Sequence, residues 1–188
     1  MRRIIFQNMV SLDGYFEGPN REIDWHLVDA EFNEFANDFL KSVDTLLFGR
    51  VTYEGMASYW PTEMAVHDDP TIARLMNRLA KVVVSTTLKK VEWNNTRLIR
   101  ENVIEEISRL KQQPGKDIAI FGSSDLAVSL IQAGLIDEIR IFINPVILGG
   151  GKPLFKGIKN RLKLKLLSTK VFQSGNVLLS YQPEKGDA

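Results

Sequence analysis

Three stretches of the chain place small or hydroxyl-bearing residues directly after apolar runs: Gly49-Arg50-Val51-Thr52, Ser85-Thr86-Thr87 and Gly122-Ser123-Ser124-Asp125. Each offers what an anion needs, since free N–H groups at a helix start, a guanidinium fork and hydroxyls can all satisfy phosphate oxygens. Gly122 is the sharpest of these signals: a residue without Cβ lets a ligand approach the backbone, and SSDLAVSLI then opens a helix. Simpler readings stand beside it. Ser123, Ser124 or Asp125 can be a helix N-cap, Arg50 a solvated charge, and Ser85-Thr86-Thr87 a turn. Repetition of the same chemistry at three strand exits is what favours a ligand carrying several phosphates. Neither GxGxxG nor GxxxxGK[ST] occurs, so the usual dinucleotide and nucleoside-triphosphate fingerprints are missing.

Three exits make one site only if the strands are parallel, because their carboxyl ends then share an edge. IIFQNMVSL, TLLFG, KVVVSTTL, TRLI and DIAIFG are short and rich in Ile, Val, Leu and Phe, as strands buried on both faces should be. Helical patterns separate them. Phe32, Phe35, Ala36, Phe39, Leu40 and Val43 fall on one helical face. Further helices are predicted over Val51 to Trp60, Pro70 to Leu79, Asn102 to Lys111 and Asp125 to Ala133, the last closed by Gly134. This alternation predicts an α/β fold with a largely parallel sheet and right-handed crossovers. After Asp137 the helices stop. EIRIFINPVIL and KVFQSGNVLLSYQ predict closing antiparallel strands, with Ser174-Gly175-Asn176 turning a C-terminal hairpin. One domain is expected over 1–183, with a frayed tail at 184–188.

The composition, 44% hydrophobic and 25% charged with a formal net charge of +1, gives no electrostatic case for nucleic acid or a membrane surface. An anion must therefore be met locally. With no Cys, disulfides, thiolate zinc sites and cysteine nucleophiles are excluded, and with His26 and His67 the only histidines no histidine-rich metal centre is expected, which leaves a carboxylate site for a hard cation as the alternative. Gln7 and Asn8 interrupt the N-terminal apolar run before it reaches signal-peptide length. No apolar stretch approaches the roughly 20 residues of a membrane span, so a cytoplasmic location is expected.

These segments resemble the dihydrofolate reductase-like superfamily, and within it the riboflavin biosynthesis reductases (the C-terminal domain of the bifunctional deaminase-reductase) and their stand-alone relatives. The resemblance runs from MVSLDGYF through IDW, LLFGRVTYE and VVVSTT to IAIFGSSDLAVSLIQAGLIDEIRIFINPVILGGGKPLF, which is most of the chain. It implies a three-layer fold of the dihydrofolate reductase type, an NADPH cleft, and hydride transfer to a planar heterocycle, pterin-like or pyrimidine-like. By the same resemblance the GRxT element (Gly49, Arg50, Thr52) touches cofactor phosphates, Ser85 and Thr86 meet the adenosine-side phosphate, and Gly122, Ser123 and Ser124 cradle the pyrophosphate. Trp25 would wall the nicotinamide pocket, with Asp24 beside it on the substrate side. A homodimer is also implied.

The chain departs from its relatives on the substrate side. Ala30 stands where dihydrofolate reductases carry a carboxylate on the first helix, with Asp29 and Glu31 on either side. A step of one residue turns a helical side chain by about 100°, so neither neighbour replaces it. Asp24 and Phe121 stand where the riboflavin-pathway reductases carry a Lys and a Glu. Asp13, in SLDG at the pocket mouth, is then the catalytic candidate, with a turn residue before Gly14 as the simpler reading. Gly149 to Gly151 form either a lip of the pocket or a plain loop. Two alternatives accompany the main expectation: 5-amino-6-(5-phosphoribosylamino)uracil reductase itself, and an NADPH-binding protein without catalysis.

Overall fold

The apolar runs form strands. β1 (Ile4–Ser11), β3 (Val43–Gly49), β4 (Ala80–Val84), β5 (Thr96–Ile99) and β6 (Asp117–Phe121) lie parallel, and β7 (Glu138–Asn144) continues the same direction beside β1. They are buried throughout β1 and along most of β3, β4 and β6, whereas β5, expected to be buried on both faces, lies at the sheet edge with only Ile99 buried. β9 (Leu164–Val171) and β10 (Val177–Pro183) complete the sheet antiparallel, in the order β5-β4-β3-β6-β1-β7-β10-β9. β2 (Tyr15–Glu17) and β8 (Lys152–Pro153) pair as a separate antiparallel ribbon. The helices are α1 (Ala30–Ser42), α2 (Arg50–Tyr59), α3 (Glu63–Asp68), α4 (Pro70–Arg78), α5 (Val103–Gln112) and α6 (Ser124–Gln132). This computed structural model describes residues 1–184; the tail expected at 184–188 falls, from 185 onward, outside the described residues.

Alternation along β1 shows why the fold has three layers. Ile4, Phe6 and Val10 pack with Ile107 and Leu110 of α5 and with Ala127, Leu130 and Ile131 of α6. Ile5 points the other way, into Phe39 and Leu40 of α1, Tyr53 of α2 and Ile72 and Met76 of α4. Burying each such side chain contributes about 1.5 to 3 kcal/mol, so the sheet's two faces hold the helices in register. The predicted helical face of α1 is the buried one, and Gly134 ends α6 as expected. At φ +67° it lets its own N–H reach the Ile131 carbonyl and the Leu135 N–H reach that of Leu130, each at 3.0 Å. Among the described residues no helix is long and apolar enough to cross a membrane.

Where elements differ from expectation the cause is local. β7 stops at Asn144 rather than Leu148 because Pro145 has no N–H for the ladder. β9 begins at Leu164, not Lys170, and all eight of its residues are exposed, so burial leaves no alternation in LKLLSTKV. α3, β2 and β8 are too short to carry a period.

Lys81 is a buried cation in this frame. It is 1% exposed, and its ammonium donates to the carbonyls of Met76 (2.9 Å), Asn77 (3.1 Å) and Leu79 (2.7 Å) at the end of α4. It also lies 4.4 Å from the centre of the Trp93 ring. Burial pushes its pKa down to about 8 from 10.5. Between these values the unfolded chain holds more protons on this group, so stability rises with pH through that window, by at most about 3 kcal/mol. Urea midpoints at pH 8, 9 and 10 should rise for the native chain and lose that slope in Lys81→Met; parallel slopes would show that Lys81 keeps its ordinary titration.

Candidate functional site

Parallel strands deliver the starts of α2, α5 and α6 to one edge of the sheet, and none of these three has a side-chain cap. The other helices do. Asp29 accepts from Phe32 N–H (2.8 Å) at α1, Thr62 from Ala65 N–H (3.2 Å) at α3, and Asp69 from Thr71 and Ile72 N–H (3.1 and 2.9 Å) at α4. The free donors and positive dipole ends therefore gather at the carboxyl edge of β3, β5 and β6, where an anion can use them.

Two of these helix starts are tied together. Gly49 N–H donates to Ser123 Oγ (3.0 Å), Ser123 N–H donates to Thr52 Oγ1 (2.9 Å), and the Ser123 hydroxyl donates to the Phe121 carbonyl (3.1 Å). The hydroxyls of Thr52 and Ser123 thus brace α2 against α6, while the N–H groups of the first α6 turn have no side-chain acceptor. Gly122 and Ser123 both sit in the left-handed region, at φ +55° and +50°. A Cβ on Gly122 would stand 3.0 Å from Thr52 Oγ1, so glycine is required by this close approach as well as by φ. Ser124 is buried as the first residue of α6.

The other two exits are less exclusive. Arg50 is exposed at the start of α2 and pairs with Glu54 one turn on (2.9 Å), a contact that a stronger anion can displace. Ser85 is buried, and its Oγ accepts from Thr87 N–H (3.2 Å) and Leu88 N–H (2.9 Å), which is the turn chemistry anticipated for it; Thr86 is exposed beside it. A cavity of about 830 Å³ opens on the flank of α2, lined by Tyr53, Ala57, Leu88, Lys89 and Trp93 among others. None of the glycine, Arg50, Thr52 or serine positions above lines it.

At the β1 exit, Asp13 accepts from Leu148 N–H (3.1 Å) and Gly149 N–H (2.8 Å). The Ser11 hydroxyl and these two N–H groups hold its carboxyl below the usual range. These contacts make the Asp13 carboxylate the anchor of the 146–149 loop. Gly149 and Gly151 have φ of +71° and +141°, and a Cβ on Gly151 would fall 2.2 Å from the Glu17 carbonyl. The glycine run is thus a shaped lip against β2.

Trp25 is half-buried, edge-on to His26 with ring centres 4.4 Å apart, and its Nε1–H donates to the Glu22 carbonyl (3.2 Å). Asp24 is exposed next to it. Burial pushes His26 down to about 4, so the imidazole is neutral at physiological pH. Leu27 is pinned by two buried amides, its N–H donating to Asn144 Oδ1 (2.9 Å) and its carbonyl accepting from Asn176 Nδ2 (2.9 Å). These asparagines fix the loop that carries Trp25, and nothing local in the sequence marks them. Also unmarked is the ion pair of Lys152 on β8 with Asp125 in the first turn of α6, 2.9 Å long.

The carboxylates flanking Ala30 are both engaged. Asp29 caps α1, and Glu31 accepts from Gln173 N–H (2.9 Å) and pairs with Lys170 (3.3 Å). Phe121 packs against Phe39 with ring centres 5.9 Å apart.

Comparison with known proteins bears on the family and the fold. The chain is 39% identical over 180 residues to the uncharacterized protein YyaP of Bacillus subtilis, covering 96% of this chain and 94% of that one. A candidate riboflavin biosynthesis protein of Shewanella sp. PV-4 superposes with a TM-score of 0.74 at 23% identity, over 98% of this chain and all of the other. The dihydrofolate reductase of Enterococcus faecalis, solved with NADP(H), superposes at 0.66 with 17% identity, over 97% of each chain. These structural likenesses establish the dihydrofolate reductase-like fold. The family described as the RibD C-terminal domain matches residues 2–178, nearly the whole chain, and the protein belongs to that family.

Proposed function

We propose that this protein is an NADPH-dependent reductase, built as one domain over 1–183, that delivers hydride to a planar heterocycle. The observation that carries the reading is the set of uncapped helix starts, α2, α5 and α6, on the carboxyl edge of the sheet. Their donors suit a dinucleotide's phosphates, and Gly122 lets Thr52 come close enough to brace the start of α6. Membership of the RibD C-terminal family supports a reductase. The Enterococcus faecalis dihydrofolate reductase, solved with NADP(H), supports the choice of nicotinamide cofactor.

The cofactor would supply the hydride; the chain's own residues bind and orient. The first turn of α6 would hold the diphosphate, with Gly49, Thr52 and Ser123 setting the angle between α2 and α6. Arg50, released from Glu54, would meet the extra phosphate near Thr86. Trp25 and the neutral His26 would wall the acceptor side, and the Leu27 pins would keep that wall in place. On this side the carboxylates next to Ala30 are occupied and Phe121 is apolar, which favours a neutral, flat acceptor over dihydrofolate. The aminouracil phosphate of the riboflavin pathway is the named runner-up.

We also propose that two copies pair through β9. All eight residues of this edge strand are exposed, with Leu166 at 51% and Val171 at 71%. Such an edge templates pairing, and a twofold contact covers both copies at once.

Calorimetric titration should give tight NADPH binding and weak NADH binding to the native chain; binding of neither would sink the reductase reading, and binding without turnover of any heterocycle would leave a non-catalytic cofactor protein. Arg50→Ala should weaken NADPH by about 1.5 to 3 kcal/mol and leave NADH nearly unchanged; equal losses would move Arg50 to the shared diphosphate. Light scattering should find a dimer that Val171→Lys converts to monomer, whereas a native monomer would refute the β9 contact.

A further inference from the structure

The dinucleotide reading meets an electrostatic obstacle on α6. Asp125 lies in the first turn of that helix, 78% exposed, beside the N–H groups that would receive the diphosphate. A carboxylate there favours the free helix through the dipole but repels a ligand that carries charge of the same sign. The structure meets this obstacle from outside α6. Lys152 of β8 places its ammonium 2.9 Å from Asp125 Oδ2.

Lys152 is held more firmly than a typical surface lysine. Its residue pairs with Glu17 in the β2–β8 ribbon, and its ammonium lies 5.4 Å from the centre of the Phe16 ring, which itself packs on the core. On one side Gly151, at φ +141°, lets the backbone come within a forbidden Cβ distance of the Glu17 carbonyl; on the other, Leu154 is a core residue. The side chain is 34% exposed. Because the ribbon fixes both ends of the segment, little conformational freedom is lost in bringing Lys152 to α6.

We propose that Lys152 is a positioning residue of the cofactor site. It acts through Asp125, cancelling the carboxylate's charge so that the first turn of α6 can accept a diphosphate. The assignment rests on the reductase reading above. It also joins the β2–β8 ribbon to the cofactor edge, since Lys152 links the ribbon to the first turn of α6.

The test is calorimetric titration of the purified chain with NADPH and, separately, NADH at low salt. Lys152→Ala should weaken both cofactors by about tenfold or more, because the diphosphate is common to both. Asp125→Asn should bind both at least as tightly as the native chain, and the double variant should return to within about threefold of it. Unfolding midpoints should stay within about 2 °C, since an exposed pair contributes little to stability. A purely structural Lys152 would not be rescued by Asp125→Asn. The proposal is overturned if Lys152→Ala binds both cofactors like the native chain, if only NADPH suffers, or if the double variant stays as weak as the single. Failure of the native chain itself to bind either cofactor overturns the reductase reading together with this inference, and that result is distinct from a native chain that binds while Lys152→Ala changes nothing.

Discussion

The arrangement of the rim depends on one exchange of hydrogen bonds, from Gly49 N–H to the Ser123 hydroxyl and from Ser123 N–H to the Thr52 hydroxyl. It joins two helices that follow different strands, and it engages the side chain of Ser123, the N-cap residue of α6. With the Ser123 hydroxyl facing α2, α6 is left without a side-chain cap. With Thr52 close above Gly122, the backbone there must turn through the left-handed region. Bracing and donor supply are therefore two results of the same contacts.

The opposite edge of the sheet is built the other way. Arg2 pairs with Asp44, Arg3 with Asp117 and Glu138, and Lys111 with Asp137. Charges there are matched at close range, and buried ones such as Lys111 also donate to a carbonyl, that of Leu135 at 2.9 Å. A nearly neutral chain thus places its buried ion pairs at one edge and its helix starts without side-chain caps at the other, where the ion pairs Arg50–Glu54 and Lys152–Asp125 are more exposed. This contrast follows from parallel topology, which sends strand starts one way and helix starts the other.

Much of this was legible in the sequence because it is local. Six apolar runs, the α1 face at 32, 35, 36, 39 and 40, and Gly134 after α6 each carry their signal within a few residues. The three exits were visible for the same reason. What each exit residue does was not, because the partners are distant: Thr52 and Ser123 lie 71 positions apart, and Asp13 and Gly149 lie 136 apart. Asp13 stands out as an acid by its type and its place at a strand exit, while the backbone N–H groups it accepts from have no sequence signature. Asn144 and Asn176 are ordinary residues at a strand end and in a turn until Leu27 is seen between them. The first six residues of β9, before Lys170, escaped because an exposed edge strand has no buried face to impose a period.

Two of the tryptophans, Trp60 and Trp93, share one apolar cluster and the Asn77 side chain, and Trp25 stands apart from them. Trp93 is buried under an ammonium, Trp60 directs its Nε1–H at the Met56 sulfur 3.1 Å away, and Trp25 stands half-exposed on the loop that Asn144 and Asn176 pin. Indole emission shifts colour with the polarity around the ring, so the chain carries three optical reporters of different sensitivity. Light from Trp25 responds to what happens at the rim, while that of Trp93 reports on the packing around Lys81.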